Sequence, residues 1–185
     1  MKPQLGDTIL NRYTLVSSLR EEPGIQAWKA NDRVLAKDCQ LFIITNRSAF
    51  AAIDELAGRM AATRPDRVIP VLKYRMESDV LLIVMPVDSG QCLTDYMVDT
   101  AKPLSYSAIR SIIGECANVL REVIADTPSG IVITTDTVRV TTSGVQIADA
   151  PCATMLADTS ATDLRTDGPE RYAIRQLAAL LYTLL

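Results

Sequence analysis

Three strand-like runs pass before the first helical spacing occurs, and that order constrains the fold more than any bulk property. Tyr13 to Ser18 and Ala27 to Ala30 are short strand signals divided by the turn at Pro23-Gly24. QLFII, Gln40 to Ile44, is a β-branched and aromatic run of the same character. The chain is expected to open as a meander. Ser48 then starts SAFAAIDELAGRMAAT, in which Phe50, Ile53, Leu56, Ala57 and Met60 recur at helical spacing, with Ser48 as the N-cap. VIPVLKYRM and DVLLIVMPV follow as two strands joined by Glu77-Ser78. This half predicts a five-stranded sheet with one inserted helix.

The texture changes after Pro86. Leu104 to Ala125 carries Ile109, Ile112, Ile113, Ala117, Leu120 and Val123 at helical spacing, starts at Ser105 or Ser107 and is stopped by Pro128. GIVITTDTVRVTTSGVQIAD alternates like two or three short strands turning at Ser143-Gly144. YAIRQLAALLYTLL reads as an apolar helix that runs to the last residue, and its uncovered apolar surface predicts a homodimer contact. Asp158 to Gly168, DTSATDLRTDG, is the one long polar loop and is expected to be mobile. The fold class is α+β, with a sheet-rich domain over 1–87 and a more helical one over 88–185.

With 185 residues, 48% of them hydrophobic, the chain can bury a core of its own. A net charge of −3 leaves no basic face for counterion release, so nucleic acid is not an expected partner. No window reaches eighteen apolar residues and MKPQLGDTIL has no apolar signal core. A cytoplasmic location is therefore expected, with membrane association only through a segment absent from this chain. Cys39, Cys92, Cys116 and Cys152 stand singly, without CxxC pairs, and are expected to be reduced and mostly buried. Histidine is absent, which removes His-dependent triads, His-ligated zinc and the commonest general base near neutral pH.

The order of elements, together with several local patterns, resembles the protein kinase fold. Asn11-Arg12-Tyr13 with Leu15, Leu19, Trp28, Ala30, Asp32 and Leu35 resembles the start of bacterial serine/threonine kinases. VMPVDSGQCLTDYM is similar to the hinge segment, with Met85 at the gatekeeper position. PSGIVI resembles the entry to the catalytic loop, and LAALLYTLL a helix of the second lobe. The resemblance implies a two-lobed fold, with residues 1–87 as the N-lobe and 88–185 as a truncated, partly helical C-lobe.

The departures from the family pattern fall where phosphoryl transfer needs particular atoms. In the resemblance, the three phosphate-loop glycines fall on Arg20, Glu22 and Ile25, and Glu21 with Glu22 would meet a triphosphate with like charge. The strand lysine aligns with Phe42, which would plug the nucleotide cleft, while Glu55 remains near the place of that lysine's partner. Ile133-Thr134-Thr135-Asp136-Thr137-Val138 stands for the catalytic loop, shortened, with Asp136 the nearest aspartate to the lost base. Asp149-Ala150-Pro151 stands for the metal-binding segment, keeping an aspartate but placing proline where the turn uses glycine. The resemblance thus implies a pseudokinase without metal or cofactor.

Among such proteins the sequence is most similar to the intracellular kinase-like region of actinobacterial MviN, of the lipid II flippase class. The opening residues, the degenerate loop, the missing lysine and Arg175 before the apolar helix carry that likeness. It implies that an upstream serine/threonine kinase phosphorylates a threonine read by a forkhead-associated domain, in control of cell-wall precursor export. Thr154, Thr159, Thr162 and Thr166 are the candidate acceptors here, and a phosphate would add about −2 charge and three acceptor oxygens. Three readings follow: a phosphorylation-regulated scaffold, a pseudokinase that senses nucleotide without transfer, and an enzyme of unorthodox chemistry using Asp136 and Asp149.

Overall fold

Pro23-Gly24 closes a hairpin between two long strands, β2 (Tyr13–Glu22) and β3 (Ile25–Asp32). Gly24 is required twice: its φ is 82°, and a Cβ there would stand 2.7 Å from the Cβ of Asn46. The Gly24 carbonyl also accepts from the Thr45 and Asn46 amides at 2.8 and 3.2 Å. The computed structural model describes residues 3–77, 79–99, 103–124, 131–153 and 168–185. The chain divides into two units, residues 1–62 with 70–87, and residues 63–69 with 88–185.

In the first unit β1 (Thr8–Ile9), β2, β3, β4 (Lys37–Ile44), β5 (Lys73–Met76) and β6 (Leu81–Pro86) form one antiparallel sheet in the order β1-β2-β3-β4-β6-β5. The sheet has one strand more than the sequence predicts, because two residues of β1 are too few to show a period of two. Along β4 the faces alternate. Cys39, Leu41 and Ile43 join Tyr13, Leu15, Trp28, Ala30, Leu82 and Val84 in a buried cluster. Gln40, Phe42 and Ile44 share the other face with their register partners Met85, Ile83 and Leu81. Helix α1 (Phe50–Thr63) lies on that second face: Gly58 sits against Tyr74, and Tyr74 is the partner of Ile83 in register.

Two local expectations change here. The helix entry is capped by Asn46, whose side chain accepts from the Ser48 amide at 3.2 Å, and a 3₁₀ turn over Arg47–Ala49 precedes α1. VIPVLKYRM becomes a strand only over Lys73–Met76, because Val68 bridges to Ile147 and the Ile69 amide donates to the Ile147 carbonyl at 2.9 Å.

The second unit contains β7 (Gln91–Cys92), α2 (Leu93–Asp99), α3 (Tyr106–Ile124), β8 (Val138–Thr141), β9 (Gly144–Ile147) and α4 (Pro169–Leu184). The ribbon turns at Ser143-Gly144 as its alternation predicts, and β7 adds a third strand to it. Helix α2 is absent from the sequence reading, since its seven residues bury only Leu93 and give no periodic stripe. Ser105 caps α3 through its hydroxyl and the Ala108 amide, 3.2 Å apart. Glu115 of α3 accepts from the Val145 amide at 2.7 Å and pairs with Arg67, which fastens residues 63–69 to this unit. Buried Gln176 of α4 takes the Ile133 amide at 2.5 Å and gives a bond to the Ile131 carbonyl at 3.2 Å.

Candidate functional site

The residues that carry the opening resemblance form a clasp in the first unit. Arg12 grips Asp32 through two bonds, Nε to Oδ1 at 2.9 Å and Nη2 to Oδ2 at 2.6 Å. Asp32 also accepts from the Val34 and Leu35 amides, so one carboxylate ties the start of β2 to the turn after β3. The Arg12 hydrogen bond, aided by those amides, holds the Asp32 pKa down to about 2 against its burial.

The hairpin tip carries no glycine arch over the β2–β3 turn. Arg20 and Glu22 form an ion pair at 3.7 Å, and Ile25 is buried as the partner of Ile44. Glu21, Glu22, Pro23 and Gly24 line a depression of about 550 Å³ with Gln26 and Ile43. Gln26 and Ile43 are register partners, so this hollow belongs to the face of the sheet that excludes Phe42.

Phe42 is fully buried on the α1 face, between its register partners Ala27 and Ile83. Glu55 does not turn toward it. The Glu55 side chain is 65% exposed and pairs with Arg59 one turn along α1. Met85 is fully buried opposite Gln40. Gln40, 8% exposed, is the residue the sequence reading missed: its Oε1 is buried without a hydrogen-bond partner. The signal was present in QLFII, where a polar residue two positions before Phe42 must share its face.

In the second unit the shortened loop closes on itself. Thr137 Oγ1 donates to the Val132 carbonyl at 2.6 Å and accepts from the Thr134 amide at 2.9 Å. Asp136 is exposed, and its Oδ1 accepts from the Thr94 hydroxyl at 2.8 Å at the start of α2. Asp149 is 6% exposed and itself adopts the left-handed backbone, with φ 64°, that glycine would make easy. Its neighbour is an arginine: Arg139 Nη2 lies 3.9 Å from Asp149 Oδ2, while Nε donates to Asp88 Oδ2 at 2.5 Å and Nη1 donates to the Asp136 carbonyl. Burial would lower the Arg139 pKa, but the Asp88 bond and the charges of Asp88 and Asp149 raise it above its ordinary value. Arg139 gave no sequence signal, and Asp88 entered only within the hinge-like segment, because three separate segments converge on this guanidinium.

Phe42 is apolar and buried, Glu55 is engaged on the solvent side, Asp149 lies beside a guanidinium, and among the described residues no group of three His, Cys, Asp or Glu could hold an ion. Burial pushes the Cys39 and Cys116 thiols up to about 11 and about 12, and raises that of Cys152, so these free thiols are not nucleophiles at neutral pH. Thr154, Thr159, Thr162 and Thr166 lie outside the described residues, as does the polar loop before Gly168. Arg175 lies on the exposed side of α4. No described helix is long and apolar enough to cross a membrane.

No family model and no curated protein matches the sequence. The crystal structure of Rad53 residues 1–466 in complex with AMP-PNP matches over 94% of this chain and 48% of that one, at 17% identity and a TM-score of 0.75. The chain thus spans about half the length of the Rad53 chain it matches, and the fold is kinase-like.

Proposed function

We propose that this chain is a catalytically inactive kinase homologue, a pseudokinase that serves as a phosphorylation-regulated scaffold. Phe42 is the observation that carries this reading. A phenyl ring in the core, where a kinase presents its lysine, offers no charge to a phosphate, and phosphoryl transfer is positioning plus charge stabilisation. The finer part of the proposal follows the likeness to the kinase-like region of MviN. An upstream serine/threonine kinase modifies Thr154, Thr159, Thr162 or Thr166, and a forkhead-associated domain then binds, at the cytoplasmic face of a membrane engaged in peptidoglycan synthesis. The exposed Ile174, Leu181 and Tyr182 of α4, with Leu185 at its C-cap, suit a homodimer contact, which light scattering of a concentrated monomer would exclude.

A second reading, weak nucleotide sensing without transfer, is favoured by Gln40. Its buried, unpaired oxygen would accept from an amino group such as that of a nucleobase. A thermal-shift titration with ATP, with and without magnesium, separates the two. The scaffold reading expects no shift at millimolar nucleotide in the parent and a gain in Phe42→Lys. A shift in the parent that Gln40→Leu removes would favour sensing, and transfer of labelled phosphate to any acceptor would overturn both. Phosphorylation at none of the four threonines by an active kinase would remove the regulated part of the proposal.

A further inference from the structure

Two hollows open side by side on the first unit. One, of about 550 Å³, is lined by the β2–β3 hairpin tip, and the other, of about 300 Å³, lies between the β1–β2 turn and the β5–β6 turn. Pro3 and Ile43 line both, so the two adjoin. Ile43 and Leu82, almost wholly buried, make an apolar floor, with Ile9 and Val80 packed against the cluster beneath it. Asp7, Glu21, Glu22 and Glu77 line the hollows, and no lysine or arginine among the described residues does. Arg20 and Arg75 pair with only two of these acids, Glu22 at 3.7 Å and Glu77 at 2.7 Å, so the rim stays negative on balance. Leu10 stands on the lip of the second hollow in left-handed backbone, with φ 52°, next to Asn11 at 54°. Asparagine or glycine makes that turn at little cost, whereas a leucine is strained in it, and Leu10 is 36% exposed within its own chain.

We propose that the two hollows are one docking groove for an extended, basic segment of a partner protein, with an aliphatic side chain seated between Leu10 and Leu82 and lysine or arginine side chains directed to the acidic rim. Alternate side chains of an extended chain point the same way, so one segment can fill both hollows where a compact ligand would fill one. The apolar floor supplies the burial, and the rim selects by charge, attracting a basic segment and repelling an acidic one. A leucine kept on the lip at a cost in backbone strain is accounted for by contact with that segment. The groove lies on the sheet face away from Phe42 and does not rest on the scaffold reading, since a chain found to transfer phosphate would still present it.

The test is selection of random displayed peptides on the full chain, followed by fluorescence polarisation of the most enriched peptide. Enriched peptides are expected to carry aliphatic residues flanked by lysine or arginine. Leu10→Asn is expected to melt no lower than the parent, because asparagine suits the left-handed turn, and to bind the peptide about tenfold more weakly. The double variant Glu22→Gln, Glu77→Gln is expected to bind about threefold more weakly or less, with a flatter dependence on salt. The proposal is overturned by a selection that enriches nothing, or only acidic or uncharged peptides, and by binding that neither variant weakens. A Leu10→Asn chain that melts below the parent would show that Leu10 is kept for packing, and self-association of the parent abolished by Leu10→Asn would make the occupant a second copy; either result overturns it too.

Discussion

Two arginine clasps, one in each unit, show how differently the same chemistry can be written into a chain. Arg12 and Asp32 are joined by a two-pronged bond beside backbone amides that also serve Asp32, and Arg12 is partly open to solvent. Arg139 is more enclosed and spans two acids and a carbonyl. The first clasp locks one corner of a sheet that strand pairing already defines. The second joins residues that flank β7, β8 and β9, a ribbon of short strands, and its side chains are the more enclosed, so more depends on it.

Removing Arg139 should have the largest effect. Arg139→Met removes the cation that Asp88 binds and that stands near Asp149 in a largely buried place, and chemical denaturation of the variant should show a loss of about 3 kcal/mol or more. A loss no larger than that of the Arg12 clasp would erase the contrast. Asp32→Asn should cost less, about 1–2 kcal/mol, because hydrogen bonds to charged groups supply most of it and Arg12 can turn to water. The Arg12 clasp also has an acid signature. The Asp32 pKa falls from 3.8 to about 2 on folding, so its contribution is full above pH 4 and disappears as the pH falls through 2. A melting series from pH 5 to pH 2 should therefore fall more gently for Asp32→Asn than for the parent.

Gln40→Leu sharpens the comparison from the other side, since it removes a buried polar atom that lacks a partner. The variant should be as stable as the parent or more stable by up to about 1 kcal/mol, and a clear loss would mean that Gln40 is satisfied. Glu55→Ala should have the smallest effect, less than about 0.5 kcal/mol, as befits an exposed pair one helical turn apart. A loss of several kcal/mol would show that Glu55 has a second, buried role.

Much of the first unit could be read in advance, for reasons that particular residues make clear. The turn at Gly24 needs left-handed backbone, the β4 run is buried on both faces, and α1 repeats Phe50, Ile53, Leu56, Ala57 and Met60 toward the sheet. Each is a local pattern strong enough to survive tertiary packing. The site was legible only in part. Within the resemblance Phe42 is seen as a substitution and Asp149 as a retained aspartate, but the exposed pairing of Glu55 with Arg59, the orphaned oxygen of Gln40 and the guanidinium beside Asp149 depend on side-chain direction.

What this sequence determines alone is the succession of the longer strands and helices and the residue type at each position, because spacing and residue type are properties of the linear chain. Only the tertiary structure decided that residues 67–69 join the β9 ribbon, that α2 forms, and that Arg139 gathers Asp88, Asp136 and Asp149. Those contacts join positions up to 80 residues apart, Arg67 and Ile147. No local propensity encodes them; they arise when burial brings the segments together and leaves their polar groups to find partners.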